Sequence, residues 1–210
     1  MDNLFDFEEL TFKNERKSIE ELKKIATTLR KDIIKSLCLA KSGHSGGPIG
    51  LADIFSVLFF NEVMHYDPKN PKWELRDRFV LSAGHLAPVL YSTLARAGFF
   101  PVKELSTLRK YGSRLQGHPA LDTNLPGIET ASGSLGQGIS IAVGMALNDK
   151  YLDKKPTKVF CLTGDGELQE GSVWEAAMAA SNFKLNNLCW IVDNNDCQID
   201  GRVKDVMNIY

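Results

Sequence analysis

At 210 residues, with 43% hydrophobic and 24% charged residues, the chain has the length and composition of one sizeable α/β domain rather than two. A formal net charge of −1 gives no basic excess and argues against nucleic acid as a partner. No apolar run approaches the roughly 20 residues that span a bilayer, and the N-terminus lacks a basic segment followed by an apolar one. We therefore expect no membrane partner and a cytoplasmic location.

The four cysteines show no CxxC spacing, and two of them lie within apolar runs typical of strands. Disulfides are rare in the cytosol, and an unpaired cysteine usually behaves as a small apolar residue. We expect free, buried thiols rather than disulfides or zinc ligands at Cys38, Cys161, Cys189 and Cys197.

The first half of the chain is predicted to be mainly helical. Residues 1–17 are polar and mixed and are interpreted as an N-terminal arm, followed by a domain over 18–210. A capping box at Ser18–Glu21 begins a predicted helix, whose apolar residues recur at helical spacing until Gly43 can end it. Further helices are predicted over 49–64, 87–97 and 101–111, and a short strand over 78–82.

Three of the four histidines each follow a glycine in a predicted loop: His44, His85 and His118. Glycine lets the backbone approach a ligand closely, so the repeated pair favours a functional site. For the first pair alone, a simple connection between helices explains the pattern equally well. His65 has ordinary polar surroundings and is interpreted as structural. Zinc is disfavoured because no local pair of histidines has i, i+4 spacing or a neighbouring thiol.

The second half predicts a strand over 158–163, a helix over 169–182 and a second strand over 188–192. A helix that connects two strands in this way makes them parallel. The carboxyl ends of parallel strands share one edge of the sheet, where open α/β sheets bind ligands. Asp165 and Asn195 follow the two strands and are expected to lie close together there. A glycine-rich segment, 133–138, opens another predicted helix over 135–151.

The residue types at this edge favour a hard divalent cation. Asp165 supplies an anionic oxygen, Asn195 an amide oxygen, and a loop carbonyl beyond Asn195 can supply a third, which suits Mg²⁺ or Ca²⁺ bound to phosphate oxygens. Gly164 and Gly166 keep side chains away, and the positive end of the following helix favours an anion. After Gly164 and Gly166 the next glycine is Gly171, so the GxGxxG motif is absent, and the GxxxxGK[ST] motif is absent as well. NAD and P-loop nucleotides are therefore disfavoured.

These motifs together resemble the amino-terminal, diphosphate-binding region of transketolases. Gly-Asp-Gly at 164–166 followed by Asn194-Asn195 is similar to the thiamine-diphosphate signature. The glycine-histidine loops and the segments at 133–138, 164–176 and 198–201 also match, so the resemblance covers nearly the whole chain after about residue 18. The related synthase that makes deoxyxylulose phosphate from pyruvate shares the cofactor, but 168–171 and 198–201 look like transketolase.

The resemblance implies an α/β, parallel-sheet fold with helices on both faces, and thiamine diphosphate held through Mg²⁺ or Ca²⁺. It implies metal ligation by Asp165, Asn195 and the main-chain carbonyl of Cys197. The histidines that it implies as catalytic are His44, His85 and His118. The residues that it implies for cofactor binding are Gly133, Leu135, Gly164, Asp165, Gly166, Asn195 and His85. Glu170 and Glu175 match acids near a subunit interface, with a solvated helix surface as the alternative.

The implied reaction is the transfer of a two-carbon ketol unit from a ketose phosphate to an aldose phosphate. In this family a separate domain binds the aminopyrimidine ring and supplies the glutamate that activates the cofactor. The sequence stops before that domain, so we expect a truncated C-terminal end and one half of a split transketolase, inactive alone. Its partner would carry the pyrimidine-binding domain, with two copies of each chain in a heterotetramer. The alternatives are a noncatalytic thiamine-diphosphate-binding or regulatory fragment and a related synthase.

Overall fold

The computed structural model describes residues 5–199 and 201–209. Contacts between residues divide the chain into two compact units. The first contains residues up to Arg76 and His85–Ala131, and the second contains Asp77–Gly84 and the residues from Ser132 onward. The first unit is mainly helical and the second contains a parallel sheet. Asp200, part of the transketolase-like segment 198–201, lies outside the described residues.

The longest helix of the first unit, α1 (Ile19–Ala40), begins at the predicted capping box. The Glu21 amide donates to Ser18 Oγ, and the Ser18 amide donates to Glu21 Oε2 at 2.8 Å, so the two residues satisfy each other's backbone groups. The helix ends three residues before Gly43, because Lys41 adopts a left-handed conformation with φ 54°. Helix α1 is long but contains many charged residues. No helix among the described residues has both the length and the apolarity needed to cross a membrane.

The other helices of the first unit are α2 (Gly46–Gly50), α3 (Ala52–Phe60) and α4 (Ala87–Ala97). The α4 prediction is confirmed. The single helix predicted over 49–64 is wrong. The structure has two shorter helices here, the first beginning at Gly46 and the second ending at Phe60. The helix predicted over 101–111 is also wrong: a 3-10 helix covers only Val102–Thr107, and Arg109, with φ 60°, cannot continue it.

The described part of the N-terminal arm, residues 5–17, has no helix or strand but is hydrogen-bonded to other segments of the first unit. Arg96 Nη1 donates to the carbonyls of Glu8 and Leu10, both at 2.8 Å. The Glu9 carboxylate accepts from the amides of Val102 and Lys103. A buried arginine and the amides at the start of a 3-10 helix therefore hold this segment.

The second unit is built on three parallel strands in the order β1 (Arg78–Leu81), β2 (Val159–Gly164) and β3 (Leu188–Asp193). Val80 pairs with Cys161, which pairs with Trp190. Helix α6 (Gly171–Asn182) connects β2 to β3, as predicted. Helix α5 (Gln137–Leu147) continues as a π-helical turn through Leu152. The prediction of an α/β fold with a parallel sheet is confirmed.

Helices α5 and α6 pack together with the sheet around one apolar core. Its buried members are Val80, Ile139, Ala142, Val143, Ala146, Val159, Cys161, Val173, Ala176 and Leu185. Helix α5 begins beside the end of β1, where a Cβ on Gly138 would lie 2.5 Å from Ser82 Cα. A glycine at this position is what permits so close an approach.

The expectation of four buried thiols is wrong in part. All four cysteines are free, but only Cys161, on the central strand β2, is buried. Cys189 is exposed because β3 lies at the edge of the sheet, and most of that strand is only half-buried. After β3, a short hairpin of β4 (Cys197–Gln198) and β5 (Gly201–Arg202) leads into α7 (Val203–Val206). An apolar run of sequence predicts a strand, but not the strand's place in the sheet.

Candidate functional site

Three imidazoles come together in the first unit. His44 lies in the loop between α1 and α2, His85 lies in a 3-10 turn before α4, and His118 lies in a loop before residue 121. The ring centroids of His44 and His85 are 5.5 Å apart, and those of His44 and His118 are 6.4 Å apart. His85 is half-buried and the other two are exposed. The structure thus brings all three predicted loop histidines into one cluster.

Two of these histidines have a lowered pKa. Burial lowers the pKa of His85, and the neighbouring His44 and His118 lower it further. Burial also lowers the pKa of His118, with added contributions from His44 and from the positive charge of Arg109. A lowered pKa keeps an imidazole neutral near pH 7, where it can accept a proton or donate a hydrogen bond.

Arg109 contacts both of the loops that carry exposed histidines, a role that the sequence did not reveal. Its Nε donates to Ser42 Oγ at 2.9 Å, two residues before His44. A Cβ on Gly117 would lie 2.6 Å from Arg109 Nη1, so the glycine before His118 leaves room for the guanidinium. The left-handed backbone of Arg109 was the feature that sequence periodicity missed.

The other two glycines that precede histidines also have packing reasons. Gly43 has φ 125°, and a Cβ there would lie 2.5 Å from Leu37 Cδ2. In the second unit, a Cβ on Gly84 would lie 2.6 Å from the backbone nitrogen of Gly133. The repeated glycine-histidine pair therefore reflects three different close contacts of the chain with itself.

Replacing Arg109 with Met is expected to raise the pKa of His118 towards its usual value, because a neighbouring positive charge disfavours protonation of the imidazole. Titration of the histidine ring signals by NMR would measure this. Arg109→Lys is the matched control, since it keeps the charge and should leave the His118 pKa close to that of the unmodified chain. An unchanged His118 pKa in Arg109→Met would contradict the prediction.

In the second unit, Asp165 and Asn195 lie at the carboxyl edge of the sheet, directly after β2 and two residues after β3. The Asp165 amide donates to the Asp193 carbonyl at 3.1 Å, and Asp165 Oδ2 accepts from the Asp196 amide at 2.6 Å. Asn195 Nδ2 donates to Asp193 Oδ2, and its Oδ1 accepts from the Cys197 amide, both at 2.9 Å. Asp165 is buried, whereas Asn195 and Cys197 are exposed.

The same edge has buried polar atoms without a protein partner. Asp196 Oδ1 and Gln198 Nε2 are both buried and make no hydrogen bond. A Cβ on Gly164 would meet no atom within 4 Å, so the space beside this glycine is open. Hard carboxylate and amide oxygens next to open space suit a divalent cation and a phosphate group. Among the described residues, no group of three or more His, Cys, Asp or Glu side chains is arranged to hold a metal, so any such site depends on Asn195 and main-chain oxygens as well.

Asp193, the last residue of β3, is a second carboxylate at this edge and was not among the predicted site residues. Burial raises the pKa of Asp193; the hydrogen bond from Asn195 lowers it, and the charge of Asp165 raises it. Because Asp193 Oδ2 accepts a hydrogen bond from Asn195 Nδ2, Asp193 also fixes the orientation of the Asn195 amide. Its position immediately before the Asn194-Asn195 pair is the signal that could have identified it.

The remaining predicted site residues lie in the second unit. Gly133 is half-buried, whereas Leu135, Glu170 and Glu175 are exposed. A 3-10 turn, Gly166–Gln169, follows Asp165, and α6 begins only after it. The observed helix thus starts two residues after the predicted start at Gln169, and the first backbone N–H groups after Asp165 belong to the 3-10 turn.

The parallel sheet thus brings Asp165 and Asn195 to its carboxyl edge, where the sequence analysis predicted them. Residues 21–208 match the family model described as "Transketolase, thiamine diphosphate binding domain". The chain belongs to the transketolase family.

Known relatives differ in how much of their length the chain matches. It is 47% identical over 183 residues to a transketolase of Pongo abelii, covering 87% of this chain but 29% of that protein. It is 42% identical over 191 residues to one of the named subunits of an apulose-4-phosphate transketolase, from Phocaeicola vulgatus, covering 91% of this chain and 66% of that one. The crystal structure of transketolase from Campylobacter jejuni superposes with a TM-score of 0.84 at 40% identity, over 91% of this chain and 31% of that chain.

Proposed function

We propose that this chain is the diphosphate-binding subunit of a two-chain transketolase. In this proposal it transfers a two-carbon ketol unit from a ketose phosphate to an aldose phosphate, together with a separate chain that carries the pyrimidine-binding domain. The observation that carries the proposal is the similarity, over 91% of this chain, to a protein whose name makes it one subunit of a transketolase. Such a name indicates that the family includes enzymes divided between chains.

The proposed cofactor is thiamine diphosphate with Mg²⁺, or Ca²⁺ in its place. Asp165, Asn195 and the carbonyl of Cys197 would bind the metal, and Gly164 and Gly166 would lie against the diphosphate; the space beside Gly164 is open, whereas a Cβ on Gly166 would lie 2.9 Å from Gln198 Oε1. Gly133 and Leu135 would contact the cofactor's rings. The bound cofactor would supply the electron sink that ketol transfer requires. Oxygen ligands and the open space beside Gly164 support this assignment.

For His44, His85 and His118 we propose contacts with sugar hydroxyls and proton transfer, with His85 also near the diphosphate. The lowered pKa of His85 and His118 supports this, because a neutral imidazole can take a proton from a hydroxyl at physiological pH. Their close spacing would also let a proton move within the cluster.

The proposed assembly contains two copies of each chain. Helix α6 supports self-association, because it exposes Trp174 by 50% and Met178 by 66% one turn apart. Glu170 and Glu175, the proposed interface acids, are exposed on or just before the same helix. A cytoplasmic location stays a prediction.

The test is reconstitution. The chain is expected to show no ketol transfer alone and to gain it when mixed with a separately expressed transketolase chain carrying the pyrimidine-binding domain from the same genome. Release of glyceraldehyde 3-phosphate from xylulose 5-phosphate, with ribose 5-phosphate as acceptor, would be followed with Mg²⁺ and thiamine diphosphate. The partner chain alone is the control. Robust turnover by this chain alone would refute the two-chain proposal, and inactivity of the mixture would favour a noncatalytic binding role.

A further inference from the structure

Glu167 is a buried acid that the function proposed above does not use. The residue is 1% exposed, and its carboxylate accepts three hydrogen bonds. Ser82 Oγ and the Gly136 amide donate to Oε1, the amide at 2.7 Å, and the Gly164 amide donates to Oε2 at 3.2 Å. A buried carboxylate that accepts this many hydrogen bonds is a structural part of the second unit rather than a surface charge.

The three donors belong to three different segments. Ser82 follows β1, and Gly164 is the last residue of β2, directly before Asp165. Gly136 lies in the turn that precedes α5, next to Leu135. One carboxylate thus joins the 133–138 segment to the turn that carries Asp165. These segments are the two backbone stretches proposed above to contact the cofactor.

The turn at Gly136 is also held from its other side. Gly136 has φ 83°, and a Cβ there would lie 2.7 Å from Ser172 Oγ and 2.8 Å from Glu170 Cβ. Ser172 Oγ donates to the Gly136 carbonyl at 3.1 Å. The amide and the carbonyl of one residue are therefore both fixed, which leaves this turn little freedom to move relative to Glu167.

We propose that Glu167 is a positioning residue that sets the spacing between the 133–138 segment and the Gly164-Asp165-Gly166 turn, and thereby the affinity for the cofactor. The proposal rests on the proposed function for the identity of the ligand. Glu167 acts through the backbone of these two segments and does not itself contact the ligand. Residues that orient a metal's ligands typically change affinity by about 10- to 100-fold when they are altered.

A carboxylate is suited to this role because both of its oxygens only accept hydrogen bonds. In Glu167→Gln, one side-chain oxygen becomes an NH₂ group. Whichever way the amide turns, that group faces a backbone N–H, either at Gly136 or at Gly164. The variant keeps the shape and volume of the side chain but releases one of the two segments, so it separates positioning from packing.

The experiment compares Glu167→Gln with Ser82→Ala in the full chain. Ser82→Ala removes one hydrogen bond from the same carboxylate but leaves both segments attached. Calorimetric titration with thiamine diphosphate and Mg²⁺ would give the dissociation constants, and amide hydrogen exchange of the chain without ligand would report on Gly136 and Gly164. We expect Glu167→Gln to weaken binding by about 10- to 100-fold and to speed exchange at Gly136, at Gly164 or at both. Ser82→Ala should stay within about 3-fold of the unmodified chain in affinity, because both segments stay attached.

Equal affinity of Glu167→Gln and the unmodified chain would overturn the inference, and so would an equal loss in Ser82→Ala. If the unmodified chain binds no cofactor even with its partner chain, the proposed function fails, and the exchange rates then decide the inference on their own. Unchanged exchange at both glycines would refute it. Should Glu167→Gln fail to fold, Glu167→Asp is the second variant, because it keeps both acceptor oxygens on a side chain that is one methylene shorter. Amide exchange at both glycines as slow as in the unmodified chain would again refute the inference.

Discussion

Asp165→Asn is expected to abolish the dependence of thiamine diphosphate affinity on Mg²⁺. In the unmodified chain, Mg²⁺ should tighten binding by about 100-fold or more, because changes even to residues that only orient metal ligands cost about 10- to 100-fold. The substitution removes the negative charge from a side chain that is 2% exposed and directly follows Gly164, beside which the space is open. Dissociation constants with and without Mg²⁺, measured on this chain and on its mixture with the partner chain, would give the ratio.

The ratio of the two constants separates metal binding from a general loss of structure, since misfolding would weaken binding both with and without the metal. Asp122→Asn is the matched control. It makes the same change of charge at an exposed residue of the first unit and should leave the ratio unaltered. A ratio in Asp165→Asn equal to that of the unmodified chain would show that Asp165 is not a metal ligand.

Elements fixed by local chemistry were predictable from the sequence. The capping box at Ser18–Glu21 needs only residues within one turn, and the bounds of α4 follow from an apolar period that ends at Gly98. The end of the helix predicted after Pro101 was not predictable, because Arg109 has a left-handed backbone and its side chain donates to Ser42, 67 residues away in sequence. Local pattern therefore gave the start of α1 and both ends of α4 correctly and failed where contacts with other loops accompany the backbone conformation.

The same division holds for the candidate site. Strand ends are visible in sequence, so Asp165 and Asn195 could be placed at one sheet edge from the parallel connection alone. Glu167 could not be distinguished from Glu170, although one is buried and the other exposed. The difference lies in donors that are 85 and 31 residues away, at Ser82 and Gly136. No periodicity within a short window contains that information.

The largest effect on folding is expected at the buried ion pair between Asp32 on α1 and Arg96 on α4. Arg96 Nε and Nη2 donate to the two carboxylate oxygens at 2.7 and 2.8 Å, and both side chains are at most 4% exposed. Asp32→Ala leaves the guanidinium buried without its counter-charge. Removing one partner of such a pair typically costs about 3–5 kcal/mol, so the free energy of unfolding should fall by that amount in urea titrations followed by circular dichroism.

The double variant Asp32→Leu with Arg96→Met separates the value of the pair from the cost of an unpaired charge. Because no buried charge is left, it should lose much less than the sum of the losses in Asp32→Leu and Arg96→Met made singly, with a coupling of at least about 1 kcal/mol. It also removes the donor to the carbonyls of Glu8 and Leu10, so proteolysis of the N-terminal arm should become faster. Lys23→Ala, which breaks an exposed pair with Glu20, should change stability by less than about 0.5 kcal/mol. Additive losses in the double variant would mean that packing, and not the unpaired charge, accounts for the destabilisation.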